Sequence, residues 1–321
     1  MRRRDVLTLA ASAGAMFATK RIAAALPPTI PIIDSHVHLF DTARPGGVPW
    51  PEKSDPILYQ PALPDRLKSV AAALGVVGAI AIEASPLASD NDWVLKVASA
   101  HPMIVGVVGD LVPGTSSYLS DLERLHKNPL FLGIRYGNLW DRDLAVDQQK
   151  AGFIAGLKAL AAHGLVLESA NPNPDLIRAL VDVADKLPDL TIVVDHLPHA
   201  PVPTERKDRD EYQSHLRHLA RNPHVFIKLS EIPVRVNQKV SLDPEFYRDR
   251  LDAIWDVFGE DRILFGSDWP NSDHFATYSD TLGIVRGYVS RKGTAVCQKF
   301  FWRNSLAAYK WQRRSPDQPA I

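Results

Sequence analysis

His36 and His38 stand two apart near the end of the apolar run Pro-Ile-Ile-Asp-Ser-His-Val-His-Leu-Phe, residues 31–40. In an extended strand, residues i and i+2 share a face, so both imidazoles would aim at one point. A neutral imidazole is a common ligand for Zn²⁺ and similar ions, and such a pair supplies two adjacent coordination positions. Two strand histidines in ordinary hydrogen bonds would read the same in this short stretch. The single cysteine, Cys297, excludes an intramolecular disulfide and any thiolate-rich zinc site. A metal here must therefore be held by histidine and carboxylate.

The elements that would position these residues follow from hydrophobic periodicity. Eight short β-like runs are predicted at Ile32–His38, Val76–Glu83, Met103–Asp110, Phe131–Tyr136, Leu165–Ser169, Thr191–His196, Val225–Ser230 and Ile263–Asp268. Amphipathic segments such as Pro64–Leu74, Trp93–Ala100, Gln149–His163, Pro174–Leu187, Tyr212–Ala220 and Pro244–Phe258 lie between them, with apolar residues at helical spacing. The Pro-rich stretches Arg44–Pro64 and Pro198–Arg209 read as long loops. Eight strands alternating with helices over about 250 residues is the arithmetic of an α/β fold closed as a (β/α)8 TIM barrel. An open doubly wound sheet is the competing architecture, but no Gly-x-Gly-x-x-Gly follows a first strand and no phosphate-binding Gly-x-x-x-x-Gly-Lys loop occurs.

A barrel carries its chemistry where its strands end. Those ends are His36 and His38, Glu83, Asp110, Arg135, Glu168, His196, Ser230 with Glu231, and Asp268. Nearly every strand therefore finishes on a polar or ionisable residue after an apolar run. Asp268 at such an end suits a general base for water, or the N-cap of a following helix. His196 suits a metal ligand, a proton donor polarising a substrate carbonyl, or a structural bond to Asp195. Arg135 has the fork that matches a carboxylate, so it suits an acidic substrate or an internal ion pair to Glu168 or Glu83. Glu168 could ligate a metal or orient a substrate hydroxyl. Trp50 and Trp269 could stack on a flat ring or simply pack. His163, before Gly164, reads as a helix cap; His215 and His218 read as solvated, and His199 lies close enough in sequence to His196 to enter the mouth.

Several motifs together resemble the amidohydrolase superfamily, and within it the amidohydrolase-related, lactonase-like group. They are Asp-Ser-His-Val-His-Leu-Phe at 34–40, Glu-Ala-Ser-Pro at 83–86, Asn-Pro-Leu-Phe-Leu-Gly-Ile-Arg-Tyr at 128–136, Asp195-His196, and Leu-Phe-Gly-Ser-Asp-Trp-Pro at 264–270. The resemblance implies one or two divalent metals on His36 and His38, with a strand-eight aspartate, Asp268, activating water. The strand-five position is Glu168 rather than histidine and the strand-four position Arg135, which departs from the pattern of a carboxylated-lysine binuclear centre. The expectation is at most one Zn²⁺ or Mn²⁺, on His36 and His38 with His196, Glu168 or Asp268 completing the shell, or a metal-free site. The function implied is a hydrolase opening a lactone or similar cyclic ester. A decarboxylase of aromatic or unsaturated acids and a non-enzymatic periplasmic binding protein are the alternatives.

Composition is that of an ordinary soluble globular protein. The 321 residues are 45% hydrophobic and 23% charged, with a formal charge of zero. The first 25 residues hold Arg2, Arg3, Arg4, Lys20 and Arg21 against Asp5, so the remainder sits near −4 (0 − 4). A nucleic-acid or anionic-membrane partner would favour a basic surface instead. Residues 1–25 combine Arg3-Arg4-Asp5-Val6-Leu7 with a short apolar region and Ala23-Ala24-Ala25, and resemble a twin-arginine export signal. A mature domain over 26–321 in the periplasm is the expectation. No Gly-x-Ser-x-Gly elbow supports a serine hydrolase.

Overall fold

The computed structural model describes residues 30–320. The export signal expected at residues 1–25 lies outside them. Eight strands, β1 (Ile32–His38), β2 (Val76–Ile82), β3 (Ile104–Gly109), β4 (Phe131–Arg135), β5 (Val166–Glu168), β6 (Ile192–Val194), β7 (Val225–Leu229) and β8 (Ile263–Phe265), pair in sequence order. Every neighbouring pair is parallel. Between β8 and β1 the ladder is replaced by a Val37–Trp269 bridge, and His38 N–H donates to Trp269 O at 2.7 Å. This is the expected (β/α)8 barrel.

Strand alternation divides the apolar side chains into two layers. Residues such as Ile32, Val107, Ile134 and Ile227 face the surrounding helices. Ile33, Ile80, Val105, Leu132, Val166, Val193, Phe226 and Leu264, at least one from each strand, fill the interior together with Ala308, Tyr309 and Trp311 of the C-terminal segment. That segment continues to Gln318, whose side-chain amide donates to Val77 O and Pro102 O. It closes the end of the barrel opposite the mouth.

Two expectations change at element ends. The loop predicted over Pro198–Arg209 is shorter, because a helix runs over Arg206–Leu219. Its first turns are Arg-Lys-Asp-Arg-Asp-Glu, wholly polar, so hydrophobic periodicity could not register them. Several strands also stop one to three residues early. β6 ends at Val194 and β8 at Phe265, so His196 and Asp268 stand just beyond the ladder. His196, Glu231 and Asp268 there adopt φ of 51°, 50° and 61°, a left-handed conformation that L residues seldom take and that concentrates at functional sites. The turn after each of the last three main strands thus swings one ionisable side chain over the mouth.

Candidate active site

Asp34 and Gly266 bring β1 and β8 together. The Asp34 carboxylate accepts from Ser267 N–H at 2.9 Å and from the Tyr278 hydroxyl at 2.7 Å, tying the β8 turn to the first strand. A Cβ on Gly266 would stand 2.6 Å from His36 Cβ, so only glycine allows this approach. As a result Asp268 Oδ1 lies 3.2 Å from His38 Nε2 and 3.5 Å from His36 Nε2. Asp268 Oδ2 accepts from Asn271 Nδ2 at 2.7 Å, and the same amide donates to Glu231 Oε1 at 3.2 Å.

The sequence-derived residues do not all play the parts expected of them. His36, His38, His196 and Asp268 converge, with the His36 and His196 ring centroids 4.5 Å apart. Trp50 stands with them, its ring 5.5 Å from that of His38. Trp269 is instead fully buried under the Arg66 guanidinium, 5.2 Å from its ring, and has no face for a substrate. Arg135 is occupied inside the protein: Nε lies 3.2 Å from Asp195, Nη1 3.7 Å from Glu83, and Nη2 donates to His196 Nε2 at 3.3 Å. Glu168 is turned away from the mouth, paired with Lys228 at 2.8 Å and accepting from the Tyr309 hydroxyl. It shares no metal-ligating group with the histidines among the described residues.

His163 caps its helix as its position before Gly164 predicts, with Gly164 at φ 68°. Its ring stacks 4.0 Å from that of His126, which caps the neighbouring helix, and Glu123 faces both at 3.8 Å. His218 pairs with Asp185 away from the mouth, whereas His199 reaches the rim, 3.9 Å from Glu231.

Lys228 belongs to no motif in the sequence. It occupies an inward position of β7 and places Nζ 2.8 Å from Glu168, 3.2 Å from Asp195 and 3.2 Å from His36 Nδ1. The available signal was a lone charge inside the otherwise apolar run Val-Phe-Ile-Lys-Leu. Glu231 is legible as a strand-end residue, but its pairing with Asp268 is not, and nothing in sequence spacing points to Asn271.

Burial and neighbouring charge separate the protonation states. Burial, reinforced by the Lys228 ammonium, lowers the His36 pKa well below its ordinary value, and burial lowers that of His196 to about 4, so both rings are neutral. Burial pushes Asp268 upward, but the His38 hydrogen bond and the surrounding histidines outweigh it and hold the carboxyl well below its usual range. Burial and the Asp268 charge push Glu231 up to about 8. One carboxyl is therefore an anion while its neighbour keeps a proton.

The donor set also fits a divalent ion. Ile82 O can only accept, so the 3.2 Å contact makes His38 Nδ1 the protonated nitrogen. His38 Nε2, 3.2 Å from Asp268 Oδ1, bonds to that carboxylate when it too carries a proton and offers its lone pair to a metal when it does not. His36 Nε2 has no hydrogen-bond partner, and one ligand atom from each of His36, His38 and Asp268 lies within 4.8 Å of the others. Asp195 Oδ2, 3.6 Å from His36 Nδ1, is the carboxylate that would orient a ligating imidazole from behind.

Three comparisons place this arrangement among known proteins. An L-fucono-1,5-lactonase of Burkholderia ambifaria is 29% identical over 296 residues, spanning 90% of this chain and 98% of the relative. One from Burkholderia multivorans is 28% identical over 290 residues, spanning 86% and 94%. An amidohydrolase from Burkholderia multivorans solved with zinc bound superimposes with a TM-score of 0.75 at 23% identity, covering 88% of this chain and all of that one. The sequence profile of the amidohydrolase family matches residues 33–311, from the first strand to the segment that closes the barrel, and the chain belongs to that family of hydrolases.

Proposed function

We propose that the protein opens the ring of a sugar-derived 1,5-lactone with water, using Asp268 as the base and Glu231 as the acid. The observation that carries this is the pair of carboxyls bridged by Asn271, one held as an anion and the other holding a proton. The names of the two lactonase relatives support the substrate class. Water oxygen bonds to the lactone carbonyl carbon while Asp268 takes its proton. The carbonyl oxygen, as it gains charge, takes hydrogen bonds from the His36 side of the pocket, where Nε2 is unpartnered. The bond from that carbon to the ring oxygen then breaks, and Glu231 supplies the proton that the departing oxygen needs. Asp268 then releases its proton to solvent through the mouth, Glu231 takes one up from solvent, and the product hydroxy acid ionises.

His36, His38 and Asp268 would hold a divalent ion such as Zn²⁺ or Mn²⁺, which when bound supplies Lewis-acid polarisation of the carbonyl. His196, neutral and bonded to Ser230 at 2.8 Å and to Arg135, fixes the guanidinium over Asp195 rather than exchanging protons itself. A panel of sugar 1,4- and 1,5-lactones, assayed by proton release with and without chelator, tests the reading. Ring opening of at least one 1,5-lactone, with hydroxy acid as product, is the expected result. Carbon dioxide release from an aromatic acid, or ligand binding without turnover across the panel, would overturn it.

A further inference from the structure

Lys228 is fully buried, and the mechanism above gives it no part. A lysine placed among Phe226, Leu264 and Val193 is costly unless each of its N–H bonds finds an acceptor. Two take hydrogen bonds, Glu168 Oε1 at 2.8 Å and His36 Nδ1 at 3.2 Å, and Asp195 Oδ1 stands 3.2 Å away as an ion-pair partner. Two hydrogen bonds and two carboxylates around Nζ suit an ammonium. Beneath it, the Tyr309 hydroxyl, delivered by the C-terminal helix Asn304–Tyr309, donates to the same Glu168 oxygen and holds that carboxyl in place.

The contact with His36 has a chemical consequence. A ring nitrogen that accepts from Lys228 carries no proton, so in the neutral ring the proton sits on Nε2, facing Asp268 and the mouth. The opposite arrangement is also within reach: Nδ1–H could turn its bond to Asp195 Oδ2, 3.6 Å away, leaving Nε2 with a lone pair for a metal. The first state is a hydrogen-bond donor to substrate, and the second is a ligand. Lys228 and Asp195 compete for one nitrogen.

We propose that Lys228, braced by Glu168 and Tyr309, is a positioning residue that holds His36 in its Nε2–H form, keeping it a donor to substrate and weakening the hold of the mouth on divalent ions. This rests on the reading of the mouth as a hydrolytic centre. Its test uses no substrate, so failure of the lactone assignment and failure of this inference are distinguishable.

The test uses full-length protein freed of metal with chelator and labelled with nitrogen-15 in its histidines. In the wild type the His36 signals should show Nε2 protonated and Nδ1 bare. In Lys228→Met combined with Glu168→Gln, which removes cation and counter-charge together, the proton should move to Nδ1. Zn²⁺ binding, read at the His36 and His38 signals, should then tighten by about 10–100-fold, the range typical of groups behind a ligating histidine. A wild-type His36 with its proton on Nδ1 would overturn the inference by itself, even were the double variant not to fold. A folded double variant with the wild-type tautomer and Zn²⁺ affinity would overturn it equally.

Discussion

Asp268→Asn separates the charge of this residue from its shape. The asparagine oxygen can still accept the 2.7 Å bond from Asn271, and the amide nitrogen fills the place of Oδ1 opposite His38 and His36. What disappears is the capacity to take a proton from water. General bases contribute about 10²–10⁴-fold, which is about 3–5 kcal/mol of barrier. Asp268 is 1% exposed, so neither bulk water nor buffer can substitute for it. We therefore expect kcat to fall by at least about 10³-fold, or about 4 kcal/mol, with KM nearly unchanged. A second consequence reaches Glu231, whose pKa is pushed to about 8 by burial and then by the Asp268 charge. Without that charge Glu231 should ionise at lower pH, so the residual activity should decline on a limb displaced toward acid. Initial rates of lactone opening from about pH 5 to pH 9, with thermal unfolding to confirm folding, read both effects. A variant keeping about a tenth or more of wild-type kcat would remove Asp268 from proton transfer. A residual activity lowered about 10³-fold with its limb unmoved would refute the coupling of the two carboxyls.

Glu231 itself should act protonated, so wild-type kcat/KM should fall as pH rises through about 8. Glu231→Gln should lower kcat by about 10²-fold and abolish that limb, and a limb that persists would assign it to another group. Arg135→Met breaks a buried contact with Asp195 and Glu83 and should destabilise the fold by about 3–5 kcal/mol, lowering activity on neutral and acidic lactones alike. A stable variant impaired only on acidic lactones would instead return Arg135 to substrate recognition. Replacing Arg3 and Arg4 by lysine should retain the protein in the cytoplasm if export follows the twin-arginine route, and undiminished periplasmic delivery would reject that route.

Much of this protein is legible along the chain because barrel strands announce themselves locally. Runs such as Val-Val-Gly-Ala-Ile-Ala-Ile at 76–82 are buried on both faces, and a polar residue after each run marks the mouth. His36, His38, His196 and Asp268 were therefore identifiable from type and position alone. What sequence could not decide was which charged group answers which. Arg135 and Glu168 look like mouth residues in order along the chain. Yet Asp195 and Glu83 hold the first, and Lys228 and Tyr309 draw the second into the interior. Those pairings join residues far apart in the chain, 141 positions in the case of Tyr309 and Glu168 and 192 for Lys228 and His36. Barrel closure alone sets their distances. The same holds for proton location: Asp268 and Glu231 are both carboxylic acids at strand ends, and only burial, the histidines around Asp268 and the charge of Asp268 on Glu231 separate an anion from an acid.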